Sequence, residues 1–324
     1  MLDPRLGLIE KVVTENCKVV FSGPPIVLLC GGYVPDTDSS TSPASSFRHL
    51  ISRQDTSFEI FRPEEVKNWR EDGTFDDLVD FELSLAALSS LIVVILESAG
   101  SIAELGFFSQ LEDLRSKLVA VASHEYIEGN SARSFINLGL LNFLRNSRSG
   151  SVRDYPVGCL MSDAWATEHQ KVSVDDDIIE NVISDIEDEI EALKTNTQKF
   201  KLEVATHLFI VAFELVRLFV AIKDRELFDY LKRFGFPKLN LKKVRQILFI
   251  LERFRLVKSQ SYSDGVFYIA NDQSFHRLQW SLKEDSFDEL RFSTDLREYY
   301  SSSSKGVDRH RVGAIKLSGR GHAL

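Results

Sequence analysis

Leu91-Ile-Val-Val-Ile-Leu-Glu-Ser-Ala-Gly-Ser-Ile-Ala-Glu-Leu-Gly106 is the stretch whose reading decides the fold. Its first six residues, Leu91–Leu96, are all apolar, too few to cross a membrane and too uniform for a half-exposed strand. They predict a strand buried on both faces in the middle of a parallel sheet. A turn with Glu97, Ser98 and Gly100 follows, and a helix is expected to open at Ser101 with Glu104 on its first turn. The end of such a strand meets the free amides of the next helix, whose positive end attracts anions such as phosphate. Glu104 has two readings. Ser101-Ile-Ala-Glu104 has the spacing of a capping box, which would explain both residues structurally. Gly106, however, lies inside an early helical turn, where glycine is about 1 kcal/mol worse than alanine, and this points to a close approach to the backbone.

Outward from this stretch, strand and helix patterns alternate. Ile26–Cys30 reads as a first buried strand closing on Gly31-Gly32, where a ligand could lie against bare backbone or a plain turn could form. A loop rich in proline, serine and threonine, residues 33–46, precedes a helix carrying Arg48 and His49. Phe58–Phe61 is the second strand, a helix with Asp80 and Glu82 covers residues 76–88, and the focal strand is the third. Its helix is expected over 101–115, a fourth strand over 117–122, a helix over 134–144 and a fifth strand over 157–161. Five alternations in 160 residues are the signature of an open α/β sheet with right-handed crossovers. A flavodoxin-like order would make strands one and three neighbours at the switch point, where Gly31, Gly32, Glu97 and Glu104 converge.

The charge pattern then changes. Residues 161–200 hold eleven acidic and three basic residues, and 201–258 hold six acidic and thirteen basic. The acidic part has a helical pattern over 174–193 and reads as a solvated amphipathic connector, with an interaction surface as the alternative. The basic part reads as helices over 203–222, 226–234 and 241–254, followed by strands around Ser263-Asp264-Gly265, which makes a winged helix-turn-helix. Its third helix carries Lys242, Lys243, Arg245, Arg253 and Arg255, where a groove-reading helix would have its charge, although such domains also serve protein contacts. The Ser/Gly-rich basic tail is expected to be partly disordered. The expected domains are therefore 1–162 α/β, 163–200 connector, 201–290 winged helix and 291–324 tail.

Net charge over the 324 residues is −9, which argues against a surface that coats nucleic acid uniformly. The three cysteines, Cys17, Cys30 and Cys159, lack Cys-x-x-Cys spacing, so neither a disulfide framework nor a zinc site is indicated and a reducing cytoplasm is expected. No targeting segment or membrane span is read, no metal-ligand cluster is found, and no cofactor is expected. The P-loop pattern is absent. What remains is a carboxylate at a phosphate-friendly helix start, with Glu97 before it and Glu82 on the preceding helix. Paired carboxylates suit cleavage at an anomeric carbon, whose transition state is oxocarbenium-like.

Leu29-Cys-Gly-Gly32, Arg48-His49, Pro63-Glu64, Glu82, Glu97-Ser-Ala-Gly-Ser101, Glu104-Leu-Gly106 and Arg133-Ser-Phe-Ile-Asn137, in this order, resemble the nucleoside 2-deoxyribosyltransferase superfamily. More narrowly, they resemble the deoxyribosyltransferase-like toxin effectors of bacterial retron anti-phage systems. The resemblance covers 26–152 well and the remainder only in architecture. It implies that Glu104 is the nucleophile, that Glu97 and Glu82 are the accompanying acids, and that Asn137 is the polar residue of the late helix. It further implies substrate contacts from Gly31, Gly32, Arg48, His49, Ser98, Gly100, Ser101 and Arg133. Glu97 departs from the aspartate usual in transferases. The implied activity is N-glycosidic cleavage of NAD or a related nucleotide as substrate. The implied partners are a retron reverse transcriptase, its multicopy DNA–RNA hybrid and further copies of the chain. A nucleotide-sensing DNA-binding regulator and a metabolic nucleoside deoxyribosyltransferase are the alternatives.

Overall fold

A computed structural model describes residues 3–35, 44–70, 73–128, 133–157, 174–194, 197–271, 275–283, 286–302 and 309–317. The strands are β1 (Lys18–Val20), β2 (Ile26–Cys30), β3 (Glu59–Phe61), β4 (Leu91–Ile95), β5 (Leu118–Ser123), β6 (Val152–Tyr155), β7 (Thr197–Lys199), β8 (Val257–Tyr262), β9 (Gly265–Ala270) and β10 (Arg277–Gln279). The helices are α1 (Pro4–Lys11), α2 (Phe47–Ser52), α3 (Leu78–Leu88), α4 (Ala99–Ser109), α5 (Glu112–Arg115), α6 (His124–Glu128), α7 (Asn142–Ser147), α8 (Asp176–Lys194), α9 (Ala205–Leu218), α10 (Asp224–Phe234), α11 (Leu241–Arg253), α12 (Glu289–Ser302) and α13 (Arg309–Leu317). The chain divides into two compact units. One consists of Pro24–Lys67 and Leu85–Thr195, the other of Met1–Gly23, Asn68–Ser84 and Asn196–Leu324.

The first unit holds a five-stranded sheet in the order β3-β2-β4-β5-β6, all parallel. As expected, the first and third strands of this sheet are neighbours, with Leu28 opposite Ile92 and Cys30 opposite Val94. Every residue of β2, β4 and β5 is buried, because helices cover both faces and the alternation of side chains leaves neither face to water. On one face Val27, Leu29, Leu91, Val93, Ile95, Val119 and Val121 form a core with Phe47 and Ile51 of α2. On the other, α4 packs on β4 and β5.

Two expectations for this unit need correction. The fifth strand is Val152–Tyr155, not 157–161; Val157 follows the strand and 158–161 lie outside the described residues. The acidic stretch read as a solvated connector contains α8, whose Ile179, Val182, Ile186 and Ile190 are buried in the core of the first face. Their spacing gives α8 an apolar stripe that seats it on the sheet, and Asp185 and Glu189 flank that stripe. Asp185 accepts from the Tyr155 hydroxyl at 2.5 Å, and Glu189 pairs with Arg148 and Arg153. Gly150, at φ 78°, passes so close that a Cβ would run into Glu189 Oε1.

The second unit contains helices α9, α10 and α11, whose bounds follow the sequence reading within a few residues, and the hairpin β8–β9. It also contains a three-stranded antiparallel sheet, β10-β1-β7, that the sequence reading missed. These strands have three residues each, too short for an alternation to declare itself. The expected tail is a correction in part. In α12 and α13, Leu296, Tyr300, Ala314 and Ile315 are buried, and so is Arg311, which donates to Ala221 O at 2.7 Å and to Glu226 at 2.6 Å. Residues 303–308 and 318–324 lie outside the described residues. No described helix is long and apolar enough to cross a membrane.

Candidate functional site

At the carboxyl end of β2 and β4 the chain builds a cluster around one half-buried carboxylate. Glu97 Oε1 accepts from the amides of Gly32 and Arg48, both at 2.9 Å, and Oε2 accepts from the amide of Phe47 at 2.8 Å. These are the amides of the glycine turn and of the first turn of α2, whose N-cap is Ser46. Burial pushes the Glu97 carboxyl up from its ordinary value, against the pull of the three amides. The two glycines make this possible. A Cβ on Gly32 would stand 2.8 Å from Glu97 Cδ, and one on Gly31, at φ 156°, would stand 3.0 Å from Glu97 Oε1. The bare backbone expected to receive a ligand is therefore occupied by Glu97 itself, and both oxygens of Glu97 are committed to holding the turn.

Arg48, 1 % exposed, extends along the same turn. Its Nε donates to Leu29 O at 2.9 Å and Nη1 to Gly32 O at 3.2 Å, while Nη1 and Nη2 form a two-pronged pair with Glu64, both at 2.6 Å. Burial works against the Arg48 charge, yet the Glu64 pair raises its pKa; burial works against Glu64 as well, and Arg48 holds its carboxyl below the ordinary value. Glu104 stands within the field of both. Burial raises its carboxyl above the ordinary value and the Glu64 charge adds to this, while Arg48 and a hydrogen bond with the Cys30 thiol draw it down. Glu104 Oε2 is buried and has no hydrogen-bond partner among the described residues.

The helix start differs from expectation in a way that explains this. The N-cap of α4 is Ser98, not Ser101: Ser98 Oγ accepts from Ser101 N at 3.1 Å, and Ser101 Oγ accepts from Ser98 N at 3.1 Å and donates to Ser98 O at 2.8 Å. The reciprocal cap thus closes between two serines and does not involve Glu104. Ser101 is buried and spent in that cap, while the half-buried Ser98 also donates to Gly31 O at 3.5 Å. Gly100 is exposed in the first turn, and beyond the helix itself no atom of the described residues would meet a Cβ on Gly106 within 4 Å. Cys30 and Glu64 were not among the expected site residues. The alternation along β2 could have found Cys30, because it turns to the face opposite Leu29, where α4 passes.

The other expected residues are more dispersed. His49 is fully buried in the first turn of α2, with Nδ1 facing the amide and hydroxyl of Ser45 at 3.1 and 3.0 Å. Asn137 is buried on a π-helical turn, Ile136–Leu141, and Arg133 is exposed just before it. Glu82 is half-buried on the part of α3 that belongs to the second unit. Among the described residues no group of three or more His, Cys, Asp or Glu is placed to hold a metal ion.

The basic helix α11 divides in two. Lys242 pairs with Asp76 at 2.5 Å, Lys243 with Asp80 at 2.9 Å and Arg245 with Asp224 at 2.8 Å. Gln246 also donates to Asp80 at 2.7 Å and to Thr74 O at 3.1 Å, and Phe249 packs on Phe75. The face expected to enter a groove is therefore occupied by residues 74–81 of the same unit. Arg253 and Arg255, at the other end, are exposed.

A family model described as STM3845 retron effector protein matches residues 44–259, from just before α2 into β8. No curated protein matches the chain.

Proposed function

Because the chain belongs to the STM3845 retron effector protein family, and is thus a retron-associated effector, we propose that it is the toxin of an anti-phage system. It cleaves the N-glycosidic bond of NAD or a related nucleotide. The observation that carries this reading is Glu104 Oε2, a buried carboxylate oxygen without a hydrogen-bond partner among the described residues, one helical turn beyond the free amides of α4. A polar atom withdrawn from water without a hydrogen bond is costly, and such atoms in native proteins call for an explanation. Here Glu104 faces C1′ of the bound ribosyl group. As the C1′–N bond breaks, its electron pair leaves with the base, and the carboxylate attacks or stabilises the cationic carbon. Water then adds at C1′, breaking the bond to Glu104 where one has formed and freeing its carboxylate, and loses a proton to solvent. Arg48 favours the ionised form of Glu104, Cys30 orients it, and the amides at the start of α4 suit a phosphate of the nucleotide. Glu97 holds the turn on which this rests.

The strand order supports a flavodoxin-like, deoxyribosyltransferase-like α/β unit, and three helices with a hairpin support a winged helix-turn-helix. In this reading the retron reverse transcriptase and its multicopy DNA–RNA hybrid control the toxin, and assembly with further copies of the chain is expected. The test is to assemble the purified chain with reverse transcriptase and hybrid, add NAD under activating conditions and measure free nicotinamide. Glu104→Gln keeps size and hydrogen bonding, so it is expected to lower the rate at least about 10³-fold at unchanged Tm. No base released from NAD or other nucleotides by the wild type, or an active Glu104→Gln protein, overturns the reading. Toxicity retained by Glu104→Gln would favour a nucleotide sensor, and base exchange between deoxynucleosides would favour a transferase.

A further inference from the structure

Helix α11 ends on Arg255, whose φ of 55° lies in the left-handed region. The conformation closes the helix: Leu256 N donates to Leu251 O at 2.9 Å, and Asn271 Nδ2 donates to Arg255 O at 2.6 Å. Glycine takes this position at least cost. An arginine stands there against the preference of the backbone, and its side chain reaches into solvent. Arg253, exposed with its guanidinium 4.6 Å from the centre of the Phe249 ring, precedes it, and Lys258, exposed on β8, follows. None of these three cations has an ion-pair partner among the described residues. Lys242, Lys243 and Arg245, by contrast, are all neutralised within the unit.

We propose that the junction of α11 and β8 is a binding site for the phosphate backbone of a nucleic acid, held by Arg253, Arg255 and Lys258, and that the first turns of α11 take no part. This rests on the nucleic-acid part of the proposed function and is independent of the glycosidase part. Cations at a helix carboxyl end also favour the helix dipole, but that needs no left-handed arginine. Phosphate is favoured over an acidic protein surface because the apolar residues between the cations, Phe254, Leu256 and Val257, are all buried. A protein partner would find no apolar centre to cover, whereas a charged backbone requires none, and guanidinium forks match phosphate oxygens.

The experiment titrates the full chain against a fluorescent DNA duplex and an RNA–DNA hybrid across a salt series. Arg255→Gly should weaken binding several-fold and reduce the salt slope by about 1, while its Tm equals or exceeds that of the wild type. Lys242→Ala should leave affinity and slope unchanged. Glu104→Gln should bind as the wild type does, so a failure here is separable from a failure of the glycosidase reading. Unchanged binding by Arg255→Gly, equal losses in Lys242→Ala and Arg255→Gly, or capture of an acidic peptide with no binding to either nucleic acid would each overturn the proposal.

Discussion

Glu97 and Glu104 lie seven residues apart and meet opposite fates. Glu97 is met by three amides and becomes part of the scaffold, while Glu104 keeps an oxygen with no hydrogen-bond partner among the described residues. The sequence marked both as acids at the end of a buried strand, and the structure gathers them with Arg48, Gly31 and Gly32. It could not separate their roles, because the separation depends on which serine caps α4. Ser98 and Ser101 are equally good caps by type, and only the path of the turn decides between them. The same cluster yields a pH prediction. In the proposed mechanism Glu104 acts ionised, and its carboxyl lies above the ordinary value, so base release should fall with acid earlier than an ordinary glutamate would require. The Glu64 charge contributes to that rise. Glu64→Gln should therefore move the acid limb of kcat/KM to lower pH, measured as base release across a pH series; a limb moving upward would contradict the arrangement.

Charge counting misread one element. The acidic sequence from 161 to 200 predicts an amphipathic connector that stays in solvent, yet α8 packs Ile179, Val182, Ile186 and Ile190 into the core of the α/β unit. A strongly charged helix and a core helix are not exclusive when the apolar stripe is narrow and regular. Ile186→Ala should destabilise the protein by about 2–4 kcal/mol in urea unfolding, whereas a solvated connector would hardly register the change. A second element carries an ionisable group inside the fold. Lys117, nearly fully buried, donates to Ala87 O at 3.0 Å and Ser89 O at 2.7 Å, closing the end of α3, and burial brings its pKa down to about 7. The unfolded chain then binds more protons than the folded one between pH about 7 and the ordinary lysine value of 10.5. Stability should rise with pH through that window and be lost again as pH falls through 7. Urea midpoints measured from neutral to alkaline pH should show this rise, and Lys117→Met should flatten it.

At the scale of the molecule, the parallel sheet was legible because its strands are uniform apolar runs, and α9, α10 and α11 because their apolar periods are long. The division of the chain was not. Met1–Gly23 and Asn68–Ser84 belong with the carboxyl-terminal part, joined by strands of three residues and by Phe75, Phe81 and Phe249. No composition shift marks such returns. A fragment ending at residue 200, the boundary that charge alone suggests, should therefore aggregate or expose apolar surface to a dye, because β1 would lose β10 and α1 would lose α10 and α12. A monomeric fragment with a cooperative unfolding transition would show that these contacts are dispensable.

Val19 finds Leu278 across the three-stranded sheet. During synthesis at roughly 5–20 residues per second, the opening strand must wait on the order of ten seconds or longer for that neighbour to emerge. The α/β unit, complete by α8, can condense on the ribosome well before then. A newborn chain would thus hold a finished α/β unit while its other unit is still incomplete. Under the proposed function, any restraint acting through that other unit would arrive late, leaving each new molecule a brief interval without it.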